Sequence, residues 1–136
     1  MYKNTMKSVF AASAFFVGGA FYQSGRIFTQ QKNGFFTATD LVKGLKIEED
    51  LGALFFDADG DNDLDLFVNS GSNEFPVGSP FYRPRLYRNN GKGAFALDEN
   101  AFPKTLVTSA QVVTGADYDS DGDVDLFIGG RIVPTK

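Results

Sequence analysis

Asp57-Ala58-Asp59-Gly60-Asp61-Asn62-Asp63-Leu64-Asp65 and Asp117-Tyr118-Asp119-Ser120-Asp121-Gly122-Asp123-Val124-Asp125 are one nine-residue pattern written twice, sixty positions apart. Each copy sets five aspartates at alternate positions, with Asn62 or Gly122 sixth in line. That is the layout of a loop that wraps a calcium ion. Carboxylates one, three and five of such a loop point inward, residue seven offers its backbone carbonyl, and residue nine closes the shell. The sixth place needs a left-handed backbone, which Gly adopts freely and Asn at small cost. Charge argues the same way. Like charges this close repel by roughly 1 kcal/mol per pair in water, and by more where water is excluded. A solvated acidic turn, the usual meaning of a charge run, explains neither the strict alternation nor the duplication. The residues predict two calcium sites.

The flanks decide which kind of calcium loop this is. An EF-hand places a bidentate Glu at position twelve, inside a helix. Here position twelve is Val68 or Ile128. Leu64 to Val68 and Val124 to Ile128 are rich in Val, Leu, Ile and Phe and run into Asn69-Ser70-Gly71 or Gly129-Gly130, which reads as a strand bounded by turn residues. Apolar stretches also precede the loops, at Leu51 to Phe56 and Val112 to Ala116. The unit is strand, calcium loop, strand, and an EF-hand is excluded.

At 136 residues the chain is long enough for one modest domain with a core. Its 15 Phe, 5 Tyr and 15 Gly predict short aromatic strands separated by tight turns. With no Cys and no His, the chain lacks disulfides, the commonest general base and the usual zinc and copper ligands. Ten of the 17 acidic residues lie in the two loops, so two calcium ions would offset the net charge of −4. The first 36 residues hold four basic side chains and no acidic one, too thin a patch to imply nucleic acid.

The amino terminus reads two ways. Lys3 and Lys7 precede an apolar run from Ser8 to Ala20 with small residues near Ala14 and Ala20, as in a secretory signal. The run is too short to span a bilayer as a helix, so no transmembrane span is expected. Part of it also belongs to a repeat. Phe16-Val17-Gly18-Gly19 is a degenerate partner of Phe67-Val68-Asn69-Ser70 and Phe127-Ile128-Gly129-Gly130. Arg26-Ile27-Phe28 matches Arg85-Leu86-Tyr87, and Asn33-Gly34 before Phe36 matches Asn90-Gly91 before Phe95. Asn-Gly between aromatic strands predicts type I′ hairpins, in which both turn residues take positive φ. Residues 1–22 therefore form an apolar amino-terminal segment, signal-like or the tail of a degenerate repeat, and residues 23–136 form the repeat region.

One unit of about sixty residues is strand, calcium loop, strand, long connection, strand, Asn-Gly hairpin, strand. The chain carries the tail of one unit, a complete second unit and the head of a third. Four-stranded sheets repeated radially make a β-propeller, which needs at least about four blades to close. The expected fold is all-β, an incomplete β-propeller of about two four-stranded blades, with calcium loops between adjacent strands.

Here the residues carry a family resemblance. Phe55-Phe56-Asp57 through Phe67-Val68, and Gly115-Ala116-Asp117 through Gly129-Gly130, resemble FG-GAP repeats, and more closely the VCBS-type FG-GAP-like repeats of bacterial envelope and secreted proteins. Ser70-Gly71-Ser72-Asn73-Glu74-Phe75-Pro76, Arg85 through Gly93, and Gly129 through Pro134 are similar to that family's connections. The resemblance implies the bladed fold of the integrin α-chain head. It implies calcium ligation by Asp57, Asp59, Asp61 and Asp65 with the Asp63 carbonyl, and by Asp117, Asp119, Asp121 and Asp125 with the Asp123 carbonyl. The amino-terminal copy departs from the pattern in having no aspartate loop.

Calcium of this kind staples strands rather than activates water. The functional expectation is a calcium-binding, non-catalytic module of a secreted or cell-surface protein, used for adhesion or for binding a protein or carbohydrate ligand, with further propeller blades as partners. The alternative is a piece of a propeller-bearing lyase or hydrolase whose active site lies elsewhere. The long connection Asn69–Tyr82, with Glu74, Phe75, Phe81 and Tyr82, is the candidate recognition loop. Its aromatics also suit packing against a neighbouring sheet.

Overall fold

The computed structural model describes residues 14–130 and 132–135. Residues 8–13 of the signal-like run therefore lie outside the described residues. Nine strands follow in order: Ala14–Val17 (β1), Arg26–Gln30 (β2), Phe36–Asp40 (β3), Asp50–Phe56 (β4), Asp65–Ser70 (β5), Arg85–Asn89 (β6), Phe95–Leu97 (β7), Val112–Ala116 (β8) and Asp125–Gly129 (β9). One turn of 3-10 helix, Pro80–Tyr82, is the sole helical element among the described residues. The chain is all-β, and both aspartate loops join adjacent antiparallel strands, β4 to β5 and β8 to β9.

The strands form three antiparallel sheets with orders β1-β2-β3, β4-β5-β6-β7 and β8-β9. They match the tail, the whole and the head of one repeating unit, and among the described residues the four-stranded form occurs only in the middle sheet. The repeat holds down to register. Phe16 faces Ile27 and Val17 faces Arg26 in the first sheet, as Phe67 faces Leu86 and Val68 faces Arg85 in the second.

The Asn-Gly hairpins differ from expectation. Gly34 and Gly91 take positive φ, at 83° and 69°, whereas neither Asn33 nor Asn90 does. Type I′ turns suit two-residue connections, and these connections run over five residues, a length usually built around a type I turn. The asparagines contribute through their side chains instead. Asn33 Oδ1 accepts from Phe35 N at 3.1 Å, and Asn90 Oδ1 accepts from Lys92 N at 3.0 Å and Ala94 N at 3.2 Å.

The core sits on the middle sheet. All six residues of β5 are buried, because β4 and β6 flank the strand and both its faces are covered. Leu66 and Val68 pack with Tyr87 and with Ile27 of the first sheet, against Phe16, Phe55 and Phe95. Phe67 points to the other face and meets Phe102 edge-on at 5.6 Å. In the connection that follows β5, Phe75 lies 4.7 Å from Phe81 and 6.0 Å from Phe21 of the β1–β2 connection. The Tyr82 hydroxyl donates to Phe75 O at 2.8 Å. These aromatics tie the connection to its neighbour.

Successive sheets meet in the same way. Asp50 N donates to Gly19 O at 3.0 Å, and sixty residues later Ala110 N donates to Ser70 O at 3.1 Å. The approach leaves no room for a side chain at Gly71, where a Cβ would lie 2.4 Å from Ala110 O. The side chains at the two junctions differ. The Asp50 side chain, 1 % exposed, accepts Arg85 Nη2 at 2.7 Å and Lys46 Nζ at 3.1 Å on Oδ1, and Gly19 N at 2.8 Å on Oδ2. Lys46 also donates to the carbonyls of Gly19, Gln23 and Glu48. Burial pushes its pKa below the ordinary lysine value, against the pull of Asp50. At the second junction, neutral Ser72 and Ser109 take over: Ser72 N donates to Ser109 Oγ at 3.1 Å, and that hydroxyl donates to Ser72 O at 2.9 Å.

Candidate metal centre

The two aspartate loops fold alike because the first aspartate of each organises the backbone behind it. Asp57 accepts from Gly60 N at 2.8 Å, Asp61 N at 3.2 Å and Asn62 N at 2.9 Å. Asp117 accepts from Asp121 N and Gly122 N, both at 3.1 Å. Asp61 and Asp121 each accept from the amide two residues on, Asp63 N at 3.0 Å and Asp123 N at 2.9 Å. The closing aspartates reach back to the second position, Asp65 to Ala58 N at 3.2 Å and Asp125 to Tyr118 N at 2.9 Å. The amides turn inward, and the loop curls around its own carboxylates.

The sixth residue is left-handed in both copies, with φ of 69° at Asn62 and 99° at Gly122. So is the fourth, Gly60 at 76° and Ser120 at 63°. The second requirement was missed in the sequence because Ser gives no warning of it, although Gly60 in the other copy was the available signal.

The structure brings some of the ten aspartates together and not others. Ligand oxygens of Asp57, Asp59 and Asp61 lie within 4.8 Å of one another in the first loop, and those of Asp117, Asp119 and Asp125 do so in the second. Asp65 and Asp121 stand outside these groups, while Asp63 and Asp123 figure in the expected shell through their carbonyls. Asp63 Oδ1 is buried without a hydrogen-bond partner. Desolvation, then repulsion from Asp61, Asp65, Asp59 and Asp57, raises the Asp63 pKa above the ordinary carboxylate value. Desolvation also pushes Asp57 up, but backbone amides at Asn62, Gly60, Asp59 and Asp61 outweigh it, and its pKa falls below the ordinary value. An orphaned carboxylate oxygen beside clustered acids is a site short of positive charge. The donors are all hard oxygens, which suit calcium, magnesium or manganese rather than zinc or copper.

The loops part company at the closing residue. Asp125 is exposed, whereas the Asp65 side chain is only 1 % exposed. Asp65 Oδ1 accepts from Asn89 N at 2.7 Å, and Oδ2 meets Arg88 Nη1 at 3.1 Å. Asn89 Nδ2 donates to Leu64 O at 3.1 Å. The root of the β6–β7 hairpin thus clasps the first loop, a contact that spacing along the chain did not reveal.

Comparison with curated proteins and with solved structures gives no match. Residues 69–128 match the family model of the FG-GAP-like repeat. That span takes in the long connection, the β6–β7 hairpin, β8, the second aspartate loop and most of β9, in one period of the repeat. The chain carries an FG-GAP-like repeat.

Proposed function

We propose that loops 57–65 and 117–125 each bind one calcium ion, and that the chain is a calcium-stapled, non-catalytic part of a β-propeller. The observation that carries this reading is the clustering, twice and sixty residues apart, of three carboxylates on a backbone curled by the first aspartate of the loop. Asp57, Asp59 and Asp61 would hold the first ion with the Asp63 carbonyl, and Asp65 would close the shell. Asp117, Asp119, Asp121 and Asp125, with the Asp123 carbonyl, would hold the second. Bound calcium supplies positive charge that joins the two strands on either side of a loop. Recurrence of one junction between successive sheets, Asp50 to Gly19 and Ala110 to Ser70, supports a radial arrangement of blades. Further blades would be its partners.

Secretion or display on a cell surface fits a fold that depends on calcium, which extracellular modules bind in the range of about 10⁻⁴ to 10⁻³ M. Adhesion or ligand recognition would then fall to the exposed parts of the connections, such as Asn73, Glu74 and Val77. Calorimetric titration of the metal-free chain with calcium tests the proposal. Two ions per chain are expected, falling to one in either Asp57→Asn/Asp59→Asn or Asp117→Asn/Asp119→Asn. A folded chain that takes up no calcium would overturn it.

A further inference from the structure

Among the described residues, Arg88 is the basic side chain that pairs with aspartates of an aspartate loop. Its Nη1 lies 3.1 Å from Asp65 Oδ2 and 3.5 Å from Asp59 Oδ2, and its Nε lies 3.4 Å from Asp98 Oδ2, outside the loop. Two of these carboxylates belong to the proposed calcium shell. No aspartate of loop 117–125 has an ion pair with a described residue.

The internal repeat supplies an independent observation. Aligning Arg26 with Arg85 and Phe16 with Phe67 puts Thr29 at the place of Arg88 and Ala14 at the place of Asp65. Thr29 and Ala14 face each other in the first sheet. Arg88 and Asp65 sit one step beyond the Leu66–Tyr87 pair of the second. The copy without an aspartate loop, in a stretch with no acidic residue before Asp40, thus lacks both members of the pair. Arg88 goes with the loop, not with the strand.

We infer that Arg88 is a tethered counter-cation of loop 57–65: it neutralises Asp59 and Asp65 while the loop is metal-free and competes with calcium for them. This rests on the calcium reading of the loops. A unit positive charge within reach of two of the ion's carboxylates weakens binding of a dication roughly tenfold at water-like dielectric. Asp98 leaves the guanidinium a partner that calcium does not claim. Loop 57–65 therefore responds only at higher calcium than it would with a neutral residue at position 88.

The test is calcium titration by calorimetry in an Asp117→Asn/Asp119→Asn background, where only loop 57–65 remains, with and without Arg88→Gln. Arg88→Gln should tighten that site roughly tenfold, lower the melting temperature in chelator and enlarge its rise on adding calcium. Unchanged affinity would overturn the inference while leaving the calcium reading intact. Weaker affinity would overturn it too, making Arg88 a positioning residue that aims Asp65 at the ion. A second variant, Arg88→Lys, keeps the charge and so separates its loss from a change of packing: the affinity of loop 57–65 should stay close to that of the unaltered residue, and tightening as large as in Arg88→Gln would contradict the inference. No binding to the unaltered chain would overturn both this inference and the calcium reading.

Discussion

Asp65 and Asp125 occupy the same place in two copies of one pattern, yet they live in different surroundings. Asp65 is buried under β6 and satisfies Asn89 N, Ala58 N and Arg88; Asp125 is exposed and accepts from Tyr118 N. Removing charge from a buried group leaves its partners unpaired, whereas an exposed one is replaced by water. In calcium-free buffer, Asp65→Asn should therefore cost about 2–4 kcal/mol of stability, and Asp125→Asn less than about 1 kcal/mol, by urea unfolding. The aspartates and the left-handed sixth residue were legible in the sequence, since alternation and the Asn/Gly exchange are local signals. Arg88 was not, because its partners lie twenty-three residues away in Asp65 and twenty-nine in Asp59. The comparison of Arg88 with Thr29 across the repeat was the signal available. The Asp50, Lys46 and Arg85 group escaped for a similar reason: its repeat counterpart at position 110 is Ala.

At the scale of strands, sequence and structure agree most closely where periodicity and turn residues coincide. Val112–Ala116 was expected at the bounds it has, and the strands after the loops begin one residue later than the apolar pattern suggested and run on past it. The turns depart from type I′ because the strands end early enough to leave connections of five residues rather than two. What composition does not reveal is how deeply a strand is buried. β5 and β9 share a pattern, but β5 lies between two strands and β9 pairs only with β8 among the described residues. Phe67 is fully buried, and its counterpart Phe127 is 69 % exposed. Phe67→Ala should cost about 3–5 kcal/mol, while Phe127→Ala should stay within about 0.5 kcal/mol of the unaltered chain. Chemical denaturation of the two variants side by side checks the contrast.

Over the whole molecule, stability is concentrated in the middle sheet and its two junctions. Phe15, Phe21, Ile132 and Val133 are exposed, while Phe16 and Ile128 are half-buried against neighbours. No helix among the described residues is long and apolar enough to cross a membrane. In a chain whose core rests largely on one sheet, metal charge in the loops carries weight. A site that binds only the folded state adds about 2.7 kcal/mol when free calcium is 100-fold above Kd, against a typical net stability of roughly 5–15 kcal/mol. The most direct test of the central claim is the melting temperature followed by circular dichroism, in chelator and in saturating calcium. The account predicts a rise of at least about 5 °C in calcium, absent when Asp57, Asp59, Asp117 and Asp119 are all replaced by Asn. A folded chain that melts at the same temperature with and without calcium would contradict it.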